Sequence, residues 1–170
     1  MKCAPAALFS PRLWTSGGLA TQAGELAFWD RSTLYGLRGV LQAGETATGM
    51  RHLENYTCRR LLGDHTPYPV EAWPEGDQRH LSSESGLYCR IFTEGLFGLK
   101  PTGLDRFRCT PRLPDGWPRM ALRSVRAFNR SFDVVVERRG QGQHLTVTQN
   151  GKTVTDRDLA HGESAEISLP

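Results

Sequence analysis

Lys100-Pro101-Thr102-Gly103 divides the sequence into two kinds of pattern. Upstream of it, apolar residues recur at helical spacing. Downstream, the period drops to two. The clearest alternating run is Phe132-Asp133-Val134-Val135-Val136-Glu137, within 131–138. Shorter runs lie at 105–110, 119–128, 143–149, 152–155 and 164–169. Asn150-Gly151, between Thr148 and Thr153, is a strong type I′ hairpin signal. Short strands at this spacing predict a small antiparallel β-sandwich, or part of one, over residues 100–170.

Working back from Lys100, three helices are predicted. From Glu25 to Leu41 the residues Leu26, Leu34, Leu37 and Leu41 mark one face. Asp30 is a candidate N-cap, which would start this helix at Arg31. Gly36 and Gly39 lower helix propensity, and a close helix–helix contact would explain them. A second helix is predicted from Glu45 to Leu62, with Ala47, Met50, Leu53 and Leu61 on one side. Arg59 and Arg60 sit in its last turn, where cations suit the helix dipole, and Gly63 stops it. So short a link makes the pair an antiparallel hairpin. A third helix runs from about Ser82 to Phe97, capped by Ser82 or Ser83, with Leu87, Tyr88, Ile91 and Phe92 as its apolar stripe. Residues 1–24 read as an irregular lead-in, and 64–81, with three prolines, as a long loop.

Composition narrows the function classes. The chain has 170 residues, 38% of them hydrophobic, and no apolar run long enough for a helical membrane span. Charged residues make up 23% with the signs interspersed, which excludes a disordered polyelectrolyte. Net charge is +3, Lys occurs only at 2, 100 and 152, and the arginines are scattered among carboxylates. Neither nucleic-acid nor membrane-surface binding is expected. Cys3, Cys58, Cys89 and Cys109 form no CxxC and have no His at ligand spacing, so isolated buried thiols are expected, with no metal and no cofactor. The Met1–Pro5 start lacks the apolar core of a secretory signal. His52, His144 and His161 read as ordinary surface or core histidines.

The 64–81 loop carries the chemistry. It combines Trp73 with Glu71, Glu75, Asp77, Arg79 and His80, plus Tyr68 and His65. Aromatic faces stack on sugar C–H surfaces, while carboxylates, Arg and His pair with hydroxyls. Glycosidic cleavage needs one protonated carboxyl and one carboxylate across the bond. The same composition also suits a proline-braced surface loop. Glu84 either complements the dipole of the third helix or joins the site. Trp14, Trp29 and Asp30 could reach a pocket from the start of the first helix. Gly-rich phosphate loops, GxGxxG and GxSxG are all absent.

Several stretches resemble the end of a six-hairpin glycosidase. They are Glu71-Ala72-Trp73-Pro74-Glu75-Gly76, His80 to Gly98, Lys100-Pro101-Thr102-Gly103, and Thr110-Pro111-Arg112-Leu113-Pro114-Asp115-Gly116-Trp117. The α-L-rhamnosidase-like group is the most similar. Disaccharide phosphorylases and α-L-fucosidase-like enzymes share its layout. The resemblance implies an α+β chain in which helical hairpins from the end of an (α/α)6 barrel, residues 1–99, lead into a C-terminal β-sandwich, residues 100–170. It implies Glu75 or Glu71 as catalytic base, since rhamnosidase-like enzymes carry one in a Trp-containing loop. Trp73, Asp77, Arg79, His80, Glu84, Trp29 and Asp30 would bind the sugar.

The general acid of such enzymes lies earlier in the barrel. The implied chain is therefore the C-terminal portion of a bacterial glycoside hydrolase, inactive by itself, whose partners are a carbohydrate substrate and the rest of the barrel. Leu34, Leu37, Leu53, Leu87 and Ile91 are expected to be left without cover. Two alternatives stay open. One is a non-catalytic carbohydrate-binding sandwich; the other is a phosphorylase using Ser82, Ser83 and His80.

Overall fold

A computed structural model of the chain describes residues 7–20, 28–62, 68–73 and 83–170. The fold is mixed α+β, with every described strand pairing antiparallel. It divides into two compact units, Met1–Gly95 and Leu96–Pro170.

The first unit is built around helix α1, Asp30–Gln42. Its residues Leu34, Leu37, Val40 and Leu41 are buried on one face, as the leucine spacing requires. Helix α2, Thr46–Arg60, follows after a three-residue link and packs on α1. Helix α3, Ser83–Arg90, also packs on α1 and runs into a π-helical stretch, Ile91–Leu96. The helix predicted to about Phe97 is thus helical through Leu96, as an α segment continued by a π segment. Ile91 and Leu96, five residues apart, are both buried; the wider π winding brings them closer to one face than the roughly 140° that an α-helix would put between them.

Glycine contacts in this unit differ from the expectation. A methyl group on Gly36 would lie 2.8 Å from Leu19, which belongs to a β-hairpin, and Gly39 has open space around it. The close helix contacts involve Gly49 and Gly95, where a Cβ would approach Leu41 to 2.7 and 3.1 Å. Leu41 is fully buried between them.

Two small ladders also lie among the described residues of this unit. Strands β1, Trp14–Thr15, and β2, Gly18–Leu19, pair as a hairpin inside what reads as an irregular lead-in. Its strands are too short for alternation to register. It is held by the buried bond from the Leu19 N–H to Thr33 Oγ1, 3.0 Å. Strands β3, Phe28–Trp29, and β4, Ala72–Trp73, also pair. The apolar residues expected to be stranded are not. Leu34, Leu37, Leu53, Leu87 and Ile91 are each at most 9% exposed. Of the cysteines expected to be buried, Cys109 is, whereas Cys58 and Cys89 are exposed.

The second unit contains seven strands: β5 Lys100–Pro101, β6 Arg106–Cys109, β7 Arg119–Ala127, β8 Arg130–Arg139, β9 Gly142–Gln149, β10 Lys152–Leu159 and β11 Ala165–Ser168. They form a four-stranded sheet, β10-β9-β8-β7, and a three-stranded sheet, β11-β6-β5. Inward residues alternate as predicted: Phe132, Val134 and Val136 on β8, Leu145 and Val147 on β9, Ile167 on β11. Phe107 on β6 stacks on Phe132 at 5.0 Å between ring centres.

Asn150 and Gly151 take φ of 51° and 73°, as a type I′ turn requires. Phe128-Asn129 turns the β7–β8 hairpin with φ of 57° and 56°, although Phe is not a turn residue. The ring of Phe128 stacks on Phe107 at 6.3 Å, which holds it there. The two edge strands of the larger sheet are irregular: the register of β7 shifts between Leu122 and Val125, that of β10 between Thr153 and Thr155. At the β7 bulge Asp133 accepts from the Ser124 N–H at 2.8 Å and from Arg123 at 2.7 Å.

Gly98 tests the backbone packing of this unit. Its φ is +61°, and a Cβ there would sit 2.3 Å from the Thr110 carbonyl oxygen. Gly98→Ala should destabilise the protein by about 2–3 kcal/mol, the left-handed penalty plus displacement of a backbone strand. Gly116→Ala, with φ +77° and open space, should cost only about 1 kcal/mol. Urea unfolding monitored by circular dichroism compares the two.

Candidate functional site

The polar residues of the first unit converge where α1 begins. Asp30 is its first residue, but its side chain does not cap the helix; Trp29 holds the N-cap position without a side-chain bond. The Asp30 carboxylate instead accepts from Arg60 Nε at Oδ1, 3.1 Å, and from the Tyr56 hydroxyl at Oδ2, 2.9 Å. Tyr56 and Arg60 lie four residues apart on α2 and so share one face. Asp30 and Arg60 are 0% and 3% exposed. Arg60 also donates through Nη2 to the Gly17 carbonyl in the β1–β2 turn. This corrects the reading of Asp30 as a cap; Arg60 does lie in the last turn of α2, but its side chain is buried against Asp30.

Burial dominates the titration of this pair. It pushes the Asp30 carboxyl above its usual range, with Arg60 and Tyr56 pulling part of the way back. It also lowers the Arg60 guanidinium, with Asp30 opposing. The Tyr56 hydroxyl is pushed far up, by burial and then by the Asp30 charge.

The next residue, Arg31, turns the other way. Its Nε and Nη2 donate to Glu84 Oε1 at 3.0 and 2.8 Å. Glu84 Oε2 accepts from Ser83 Oγ at 2.8 Å. Burial works against the Glu84 carboxylate, yet the bonds from Arg31, from Ser83 and from backbone outweigh it and hold Glu84 below its usual range. Glu84 thus ties α3 to α1 and is fully buried, beyond what a first-turn dipole partner requires. Farther along the same helices, Glu94 bridges Arg38 at 3.0 Å and Arg90.

The β3–β4 ladder brings the loop residues to this point. Phe28 pairs with Trp73, Trp29 with Ala72, and the Asp30 N–H donates to the Glu71 carbonyl at 3.0 Å. The Arg60 guanidinium lies over the Trp73 ring, 4.2 Å from its centre. Glu71 is close enough to support the charge on Arg31. The structure therefore gathers Trp29, Asp30, Glu71, Trp73 and Glu84, as sequence-predicted candidates, around Arg31, Tyr56 and Arg60. Trp29 is 46% exposed, whereas Asp30 and Glu84 are buried with both carboxylate oxygens engaged. Glu75, Asp77, Arg79 and His80 lie outside the described residues, as do His65 and Ser82.

Sequence reasoning missed Tyr56 and Arg60 as members of this cluster. Their i,i+4 spacing on α2 was the available signal. Among the described residues, no three His, Cys, Asp or Glu side chains could hold a metal ion, and no helix is long and apolar enough to cross a membrane.

Neither a protein-family model nor a curated protein matches the sequence. A solved structure titled "Sialidase" does match the fold, with a TM-score of 0.68 and 17% identity. The likeness covers 98% of this chain and 19% of that one. The chain thus shares its fold with about a fifth of that longer chain.

The two ion pairs carry opposite pH signatures. Asp30, raised from 3.8, loses stabilising effect as pH rises through its folded value. Glu84, lowered from 4.5, contributes fully above that value, and its contribution fades as pH falls through its depressed folded pKa. Glu84→Gln should therefore cost about 1–3 kcal/mol at neutral pH. The gap to wild type should close on acidification below 4.5. Arg60→Met should cost about 3–5 kcal/mol, because it leaves Asp30 buried without its cation. Denaturant unfolding of each variant across pH checks both values.

Proposed function

We propose that the chain is the C-terminal part of a glycoside hydrolase. In this reading α1, α2 and α3 are the last helices of an (α/α)6 barrel of rhamnosidase-like type, residues 1–99, and residues 100–170 are its trailing β-sandwich. The observation that carries it is the pinning of the segment from Glu71 to Trp73 to the start of α1, which sets a half-buried aromatic ring and a carboxylate beside a buried charged cluster. The sequence resemblance and the fold shared with part of a sialidase-titled chain point to the same reaction class.

The proposed chemistry is inverting hydrolysis with two carboxyl groups. Glu75 (or Glu71) takes a proton from water as it attacks the anomeric carbon. A carboxylic acid from the earlier part of the barrel protonates the departing oxygen. Such a pair stands about 6.5–9.5 Å apart, leaving room for the water. Trp73 stacks on the sugar, and Asp77, Arg79 and His80 bond its hydroxyls. Asp30 and Glu84 serve from behind, since their oxygens are already occupied by Arg60, Tyr56, Arg31 and Ser83.

The test uses the longer parent protein and a panel of aryl glycosides. Glu75→Gln should lower kcat by at least about a thousandfold with the fold intact, while Glu71→Gln changes it far less. The reverse pattern would move the base to Glu71. Release of aryl alcohol by the purified 170-residue chain itself would defeat the reading, because this segment would then contain both carboxyl groups.

A further inference from the structure

We infer that Arg60 is a positioning residue for Trp73, and that the Tyr56–Asp30–Arg60 chain sets the plane of this indole as one wall of a carbohydrate site. The sugar-binding role rests on the function proposed above; the positioning itself does not.

The geometry has three parts. First, the guanidinium carbon of Arg60 lies 4.2 Å from the centre of the Trp73 ring, within cation–π range. Second, Arg60 is fixed from three sides. Nε donates to Asp30 Oδ1, Nη2 donates to the Gly17 carbonyl, and the residue is 3% exposed. Third, Asp30 is itself fixed by the Tyr56 hydroxyl and, through its backbone N–H, by the Glu71 carbonyl two residues before Trp73. Backbone pairing of Trp73 with Phe28 fixes where the side chain departs from the strand. The guanidinium over the ring adds a constraint on the side chain itself. A planar cation suits this task. Lysine would present a point charge without a face to lie against the ring.

The arrangement also decides how a sugar could approach. Arg60 lies over one face of the indole, so a pyranose cannot stack on that face. Holding the ring in advance spares the ligand the cost of ordering it, and that cost appears in affinity rather than in the bond-breaking step. The signature of Arg60 is therefore a change in KM with little change in kcat.

Two measurements test this. In the 170-residue chain, the difference in tryptophan emission and near-ultraviolet circular dichroism between Trp73 and Trp73→Phe isolates the Trp73 signal. That difference is recorded again with Arg60→Met, Arg60→Lys and Tyr56→Phe. The expected result is loss or a clear shift of the Trp73 signal in Arg60→Met and Arg60→Lys, and a smaller shift in Tyr56→Phe, with far-ultraviolet spectra unchanged. If Arg60→Met does not fold, Arg60→Lys and Tyr56→Phe decide. An unchanged Trp73 signal in folded Arg60 variants overturns the positioning role. In the longer parent, with 4-methylumbelliferyl glycosides, Arg60→Lys should raise KM about tenfold and leave kcat within about threefold. An unaltered KM overturns the link to sugar binding. A parent that hydrolyses no glycoside removes the proposed function, while the spectra still decide whether Arg60 orders Trp73.

Discussion

The buried pairing of Asp30 with Arg60 is the constraint on which the helical unit turns. Neither charge reaches water, so each depends on the other and on Tyr56 and Gly17 for its hydrogen bonds. Such a pair adds little net stability compared with well-packed apolar side chains, because desolvating two ions offsets their attraction. What it fixes is geometry. One carboxylate at the first residue of α1 determines where the end of α2 lies, where the β1–β2 turn lies and, through the guanidinium, how Trp73 is held. Arg31 then extends the same logic to α3 through Glu84. Two adjacent residues of opposite charge at one helix terminus thus set two neighbouring helices.

The apolar framework around this cluster is of a different kind. Leu41 sits under Gly49 and Gly95, which let backbones approach where any side chain would hold them apart. Burying such a leucine is worth about 1.5–3 kcal/mol, and interdigitation of this sort makes the arrangement unique. Polar and apolar parts divide the work. The leucine stripe of α1 drives association of the helices, and the charged terminus selects their register.

Much of this was legible in the sequence, and unevenly so. Strong periodicity placed α1, α2 and the β8–β9 ribbon, since Leu34, Leu37 and Leu41 or Val134 and Val136 repeat at one face. Asn150-Gly151 located a turn because only a few residues tolerate its backbone. Two-residue strands such as Trp14–Thr15 and Ala72–Trp73 carry no period and could not be found that way. Asp30 misled because a helix-starting Asp is usually a cap; its true partners lie 26 and 30 positions away, beyond any local rule. The same non-locality hid Arg60, whose setting in a last turn matched a simpler explanation. Burial of Leu53, Leu87 and Ile91 within this chain likewise depends on contacts that spacing cannot reveal. Among the candidates for chemistry, the grouping of Trp73 with Trp29 and Asp30 was anticipated, but the cation against the indole was not.

In the second unit, the two interior strands of the larger sheet, β8 and β9, pair in unbroken register, whereas both outer strands carry a bulge. A bulge twists a strand and breaks the even row of backbone donors and acceptors that another chain would need. The outer strands also bear charges along their length, Arg119, Arg123 and Arg126 on one side and Lys152, Asp156, Arg157 and Asp158 on the other. The sheet therefore stops at four strands by its own construction. Growth by edge-to-edge stacking, the usual route from an open antiparallel sheet to fibrous aggregate, is blocked at both borders.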